Sequence, residues 1–164
     1  MNNNFSQSET ELARQLFEQA YHEHMAGEID DAIDLYHQSI ELVPTAEAHT
    51  FLGWAYSMQK RYEEAIEECM RAIELDEEFG NPYNDIGSYM IELNRWDDAV
   101  VWLNRALMAT RYENRALPHL NLARVYTHTG DVIAALQQYK AAWQKDKSQL
   151  PALHAYQTLL ARLN

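Results

Sequence analysis

At 164 residues the chain is the length of one domain or one short repeat array, and 47% apolar residues at a mean hydropathy of −0.50 give a soluble-type composition with ample core material. Five glycines and four prolines are too few for a turn-rich β protein. The net charge of −12 is uneven: residues 1–80 hold 18 acidic and 4 basic side chains, a net of −14, and residues 81–164 hold 7 acidic and 9 basic, a net of +2. So acidic a front half argues against wrapping a phosphate backbone and suits a basic or partly apolar partner, besides keeping helix faces solvated.

In chain order, the opening "MNNNFSQSETEL" has neither the basic region nor the apolar run of a signal peptide, and residues 1–7 are expected to form a flexible arm. "SETE" at Ser8–Glu11 reads as a capping box that starts the first helix. A first helical hairpin follows over about 13–45, with Leu16, Ala20, a break at "AGEID", then Ala32, Tyr36, Ser39 and Pro44. The second, 46–79, carries "LGWAY" with Gly53 and Tyr56, a break at "QKRYE", then Ala65, Cys69 and Ala72. The third, 80–113, has Tyr83, Ile86, Gly87, "LNRWD", Ala99, Leu103 and Ala106. Two extra residues in "MATRYENRALPHL" are expected to lengthen its second helix. The fourth, about 116–149, has Leu122, Ala123, Tyr126, Gly130, "HTGDV", Ala135, Tyr139 and Ala142. Leu153, Tyr156, Leu160 and Leu163 then share one face of a last, capping helix over about 149–163.

The small residues recur in register. Ala20, Gly53, Gly87 and Ala123 stand 33, 34 and 36 residues apart. Ala32, Ala65, Ala99 and Ala135 lie twelve residues after them, and Ser39, Ala72, Ala106 and Ala142 seven residues later again. Paired helices approach closely only where the facing side chains are small, and one hairpin alone cannot bury its apolar face. The near-constant interval is therefore the length of one stacking unit.

Small–x11–Ala with "LGWAY" and "YEEAIEECMRAIELD" resembles the tetratricopeptide repeat (TPR), and the match extends through four repeats in phase. Departures from the family pattern include Gln19 and Glu23 in the first repeat, where Leu and Tyr are preferred, and Cys69 at a position usually held by an aromatic. The resemblance implies an all-α fold: an α-α superhelix of four helical hairpins plus the C-terminal capping helix, in a single domain over 8–164. It also implies that the first helix of each pair lines a concave groove. The groove positions that would meet a partner are Phe17, Tyr21, Met25, Thr50, Phe51, Trp54, Met58, Asn84, Ser88 and Arg124, with His24, Asp85 and Asn121 among their inner-facing neighbours. The carboxylate clamp of chaperone-binding TPR domains would fall on Phe17, Tyr21, Phe51, Asn81 and Asp85. None of these is cationic, so that activity is not expected.

Catalytic chemistry is not expected either. His22 and His24 are two apart and point to nearly opposite sides of a helix, and no HExxH or CxxC occurs, so no metal site and no cofactor are expected. Acid pairs such as Glu63-Glu64 begin second helices, where negative charge favours the positive end of the macrodipole. Cys69 cannot form an internal disulfide and reads as a small buried hydrophobe. The expectation is a cytoplasmic, non-enzymatic TPR adaptor or scaffold that binds a peptide or protein segment. That segment would be apolar, with basic character as an option the charge leaves open, and neither nucleic acid nor membrane is expected. Alternatives are a small acidic TPR chaperone for export clients and a self-assembling scaffold that forms a homo-oligomer.

Overall fold

The structure is a computed structural model that describes residues 5–163. Among the described residues are nine α-helices and no extended strand: α1 (Gln7–Ala26), α2 (Ile29–Leu42), α3 (Ala46–Met58), α4 (Tyr62–Leu75), α5 (Gly80–Glu92), α6 (Trp96–Met108), α7 (Ala116–Thr129), α8 (Val132–Lys145) and α9 (Leu150–Ala161). The all-α class, the four hairpins and the ninth helix are as the sequence implies. The chain divides after Glu77 into two compact units. In the first, α1 pairs with α2 and α3 with α4, and α2 packs on α3. In the second, α5 pairs with α6 and α7 with α8; α6 packs on α7, α5 touches α7, and α9 covers α8.

The small-residue series does what its spacing requires. Ala20, Ala32, Ala65, Ala72, Ala99, Ala106, Ala123, Ala135 and Ala142 are all fully buried. At Gly53 a β-carbon would lie 2.9 Å from the Ala65 carbonyl oxygen and 3.2 Å from Cys69 Sγ. The glycine and the alanine twelve residues on therefore mark the point where α3 and α4 touch. Ser39, which replaces alanine in the third series, is buried and donates its hydroxyl to the Ala13 carbonyl at 2.7 Å. It meets the cost of its polar atom by bonding helix to helix.

Two expectations are corrected. The first helix starts two residues before the predicted box. Ser6 Oγ accepts from Glu9 N at 3.1 Å, and Glu9 Oε2 accepts from Ser6 N at 2.8 Å. Ser6 and Ser8 each precede a glutamate by three residues. The earlier box wins because it adds helix, including the bond from Thr10 N to Ser6 O at 3.0 Å. Of the predicted arm, residues 1–4 lie outside the described residues. The second correction is that the extra residues between the third and fourth repeats do not lengthen α6, which ends at Met108.

Those residues instead form a strap. Arg111 N donates to Glu78 O at 2.9 Å and Gly80 N to Arg111 O at 3.0 Å, a one-rung parallel bridge across the start of α5. The Arg115 guanidinium donates to the Leu107 and Ala109 carbonyls at 2.8 and 2.7 Å. It satisfies orphan acceptors at the α6 C-terminus that another helical turn would have used.

Candidate functional site

In the first unit, α1 and α3 present an aromatic and thioether surface. The Phe51 ring meets Phe17 edge-on at 5.4 Å, Tyr21 at 5.6 Å and Trp54 at 5.9 Å between centroids. These tilted and edge-on contacts are the favoured geometries for aromatic pairs. Tyr36 of α2 supports the layer from behind, 5.7 Å from Phe17 and fully buried. Burial pushes its phenol pKa up.

His24 sits in the same layer, 2% exposed, with its ring 4.2 Å from Trp54. Its Nδ1 lies 3.4 Å from the Tyr36 hydroxyl and its Nε2 3.0 Å from Met58 Sδ. Burial holds the imidazole pKa below the ordinary value of 6.5, so His24 is mainly neutral at pH 7. The outer rim of the layer remains open to solvent: Tyr21 is 43% exposed, Trp54 38%, Met58 51% and Met25 59%. Phe17 and Phe51 are partly buried within it. Thr50 turns inward: it is buried and donates to the Ala46 carbonyl of its own helix at 2.7 Å.

The corresponding surface of the second unit is polar. Asn84 of α5 is buried and donates its amide to Asp85 Oδ1 at 3.2 Å, while its own oxygen accepts from Asn121 Nδ2 of α7 at 3.1 Å. Asn121 Oδ1 accepts from Arg124 Nη1 at 3.4 Å, and Arg124 Nη2 donates to Glu92 at 3.1 Å. The chain of contacts fixes which way both amides face. Arg124 is exposed and paired; Ser88 is partly buried. Among the described residues Asp85 makes no ion pair, and burial pushes its carboxyl pKa up to about 7 despite the Asn84 amide. The phenol of Tyr112 is pushed up as well, by burial first and by the nearby Asp85 second.

The structure thus brings Phe17, Tyr21, Phe51, Trp54 and Met58 into one layer, and joins Asn84 to Arg124 through Asn121. Sequence reasoning missed Tyr36 as the support of the aromatic layer. Its position in the second helix, at the family's usual aromatic place, was the available signal. Among the described residues no three His, Cys, Asp or Glu side chains could share a metal ion. No described helix is long and apolar enough to cross a membrane.

Comparison with known proteins agrees with this architecture. Residues 46–79 match the model of the tetratricopeptide repeat family. The regulatory protein AfsR of Streptomyces griseus is 33% identical over 135 residues, which is 73% of this chain but only 14% of that much longer protein. Among solved structures, pilF of Pseudomonas aeruginosa superposes with a TM-score of 0.88 at 20% identity, over 95% of this chain and 71% of that one. YrrB, described as a TPR protein with an unusual peptide-binding site, gives 0.66 at 22% identity over 90% and 75%. Residues 46–79 are thus a tetratricopeptide repeat, and the four hairpins in phase have the fold of solved tetratricopeptide-repeat proteins.

Proposed function

We propose that this protein is a non-enzymatic adaptor or scaffold that recruits a partner through the face of α1 and α3. Its fold is that of protein-interaction modules. The observation that carries the finer reading is the open rim of the aromatic layer, where Tyr21, Met25, Trp54 and Met58 keep 38–59% of their surface in solvent. A folded chain leaves such side chains together at the surface at a cost that a partner's apolar side chains would remove. Aromatic anchors of this kind carry most of an interface's energy, and Met adapts to irregular partners. The ligand class is an extended or helical protein segment with apolar side chains. YrrB, of the same fold, is described as binding peptide, which supports the general mode.

The test is to capture the partner with the whole chain, identify it and then measure its affinity for purified variants. Trp54→Ala and Tyr21→Ala should each weaken binding about tenfold or more, an effect of 1.4 kcal/mol or above, with helicity unchanged. Unchanged affinity would move the contact to another face. The unequal charge of the two halves favours a second reading, self-association. Light scattering across protein and salt concentrations decides it, and a monomer indifferent to both removes it.

A further inference from the structure

Asp85 is the one carboxylate in the polar chain of α5 and α7 that the chain itself does not match with a cation. Glu92, at the other end, has Arg124 at 3.1 Å. Asp85 has one amide hydrogen bond, from Asn84 at 3.2 Å, and it is partly buried. The Asn84 amide cannot turn away to serve something else, because its oxygen is held by Asn121. Among the described residues Asp85 Oδ2 thus has no hydrogen-bond partner, and its surroundings penalise the charged form.

We infer that Asp85, framed by Asn84 and Asn121, is a subsite for a cationic side chain, Lys or Arg, of a partner segment. This deepens the proposed reading and rests on it, since a bound partner is what supplies the cation. The chemistry is specific. An ammonium or guanidinium group at Asp85 would supply the missing counter-charge to a desolvated carboxylate, where an exchange of water for a charged donor counts for more than at the open surface. The strong negative charge of residues 1–80 draws such segments toward the protein and repels acidic ones. A norleucine in place of lysine would fit the same space and leave the carboxylate unpaired.

The experiment follows the Asp85 carboxyl by carbon-detected NMR through a pH titration of the whole chain, with the resonance assigned from Asp85→Asn. The probes are the capped tripeptides Ac-Ala-Lys-Ala-NH2 and Ac-Ala-Nle-Ala-NH2, at 150 mM salt so that remote charges are screened. With the lysine peptide in excess, the midpoint should fall by about one pH unit, the signature of tenfold tighter binding to the ionised form. The Asn84 and Asn121 side-chain amide signals should shift with it, and these shifts should disappear in Asp85→Asn. The norleucine peptide should leave all three unmoved. Equal responses to the two peptides, no response to either, or shifts that persist in Asp85→Asn would each overturn the inference. The outcome is separable from that of the proposed function. A silent Asp85 with partner binding still lost in Trp54→Ala sinks only the subsite, whereas a responsive Asp85 with Trp54→Ala binding normally sinks only the aromatic face.

Discussion

The face of α1 and α3 and the face of α5 and α7 hold corresponding places in two pairs of hairpins, yet they are made of different chemistry. The first is a layer of aromatic rings and thioethers around a buried, neutral His24. The second is a run of amides that ends in Asp85 on one side and an Arg124–Glu92 pair on the other. Behind both faces stands the same frame of alanines and glycines at the same intervals. The difference teaches that the frame sets the fold and leaves the first-helix outer positions free, so the chemistry of each face is set by positions the frame does not use.

Breaking the frame should cost most. Gly53→Val places a branched side chain where even a single β-carbon would lie 2.9 Å from a backbone oxygen that cannot rotate away. Separation of α3 from α4 is the only relief, and the loss should be about 3 kcal/mol or more. Hydrogen exchange should show protection falling first in α3 and α4. Trp54→Ala in the same helix, with its side chain at the exposed rim, should leave that protection in place.

A second comparison concerns one hydrogen bond that occurs in both units. His49 Nδ1 lies 2.6 Å from Glu68, and His119 Nδ1 lies 2.7 Å from Gln138, each pair nineteen residues apart. In the first unit the partner is a buried carboxylate that also accepts from Arg71 at 2.8 Å. In the second it is a neutral amide. Glu68→Gln converts the first arrangement into the second while keeping its shape. It should cost about 1–2 kcal/mol in chemical denaturation, the gap between a charge-assisted and a neutral hydrogen bond. Gln138→Asn, which shortens the neutral acceptor, should cost less.

The two units should also answer acid in opposite directions. The folded-state pKa of His24 is depressed below 6.5, so the unfolded chain binds the proton more readily and stability falls as pH drops below about 6.5. The folded-state pKa of Asp85 is raised from 3.8 to about 7, so the folded chain binds the proton more readily and stability is lost as pH rises through that window. Between pH 7 and pH 5, α1 and α3 should therefore loosen while α5 tightens. Variants isolate each term: His24→Gln should flatten the acid loss, and Asp85→Asn should raise the melting temperature at pH 8 more than at pH 5. Identical pH profiles for wild type and both variants would remove the contrast.

The frame was legible in the sequence because close approach leaves a residue-type signature: Gly53 and Ala65 can be nothing larger. The strap of residues 109–115 was not legible, since the same surplus of residues fits a longer helix as well as a loop. What decides is that the Arg115 guanidinium reaches back to the Leu107 and Ala109 carbonyls, a long-range choice. The site was half legible. The family resemblance pointed to Tyr21, Trp54 and Met58, which are exposed, but also to Thr50, which turns inward because its hydroxyl finds a carbonyl in its own helix. Nor could spacing show that Asp85 would lack a cation, because that depends on where Arg124 goes, and Arg124 goes to Glu92.

The smallest expected effect lies in the turns, where the two units again carry the same solution in different residues. Each hairpin reverses through one residue in the left-handed region: Gly27 at φ 89°, Lys60 at 62°, Asn94 at 59° and Gly130 at 82°. Glycine adopts this without penalty, asparagine with a modest one, and lysine with the largest, because its β-carbon crowds the neighbouring carbonyl. Lys60→Gly relieves that strain but also gives the unfolded chain more freedom, and these oppose each other. The net should be a gain of up to about 1 kcal/mol. Asn94→Gly should gain less, and Gly27→Ala should lose about as much as Lys60→Gly gains. Because Lys60 is exposed in the turn beyond α3 and is not one of the rim side chains, partner affinity should not change; a gain in stability that came with weaker binding would mean that the turn itself belongs to the contact surface.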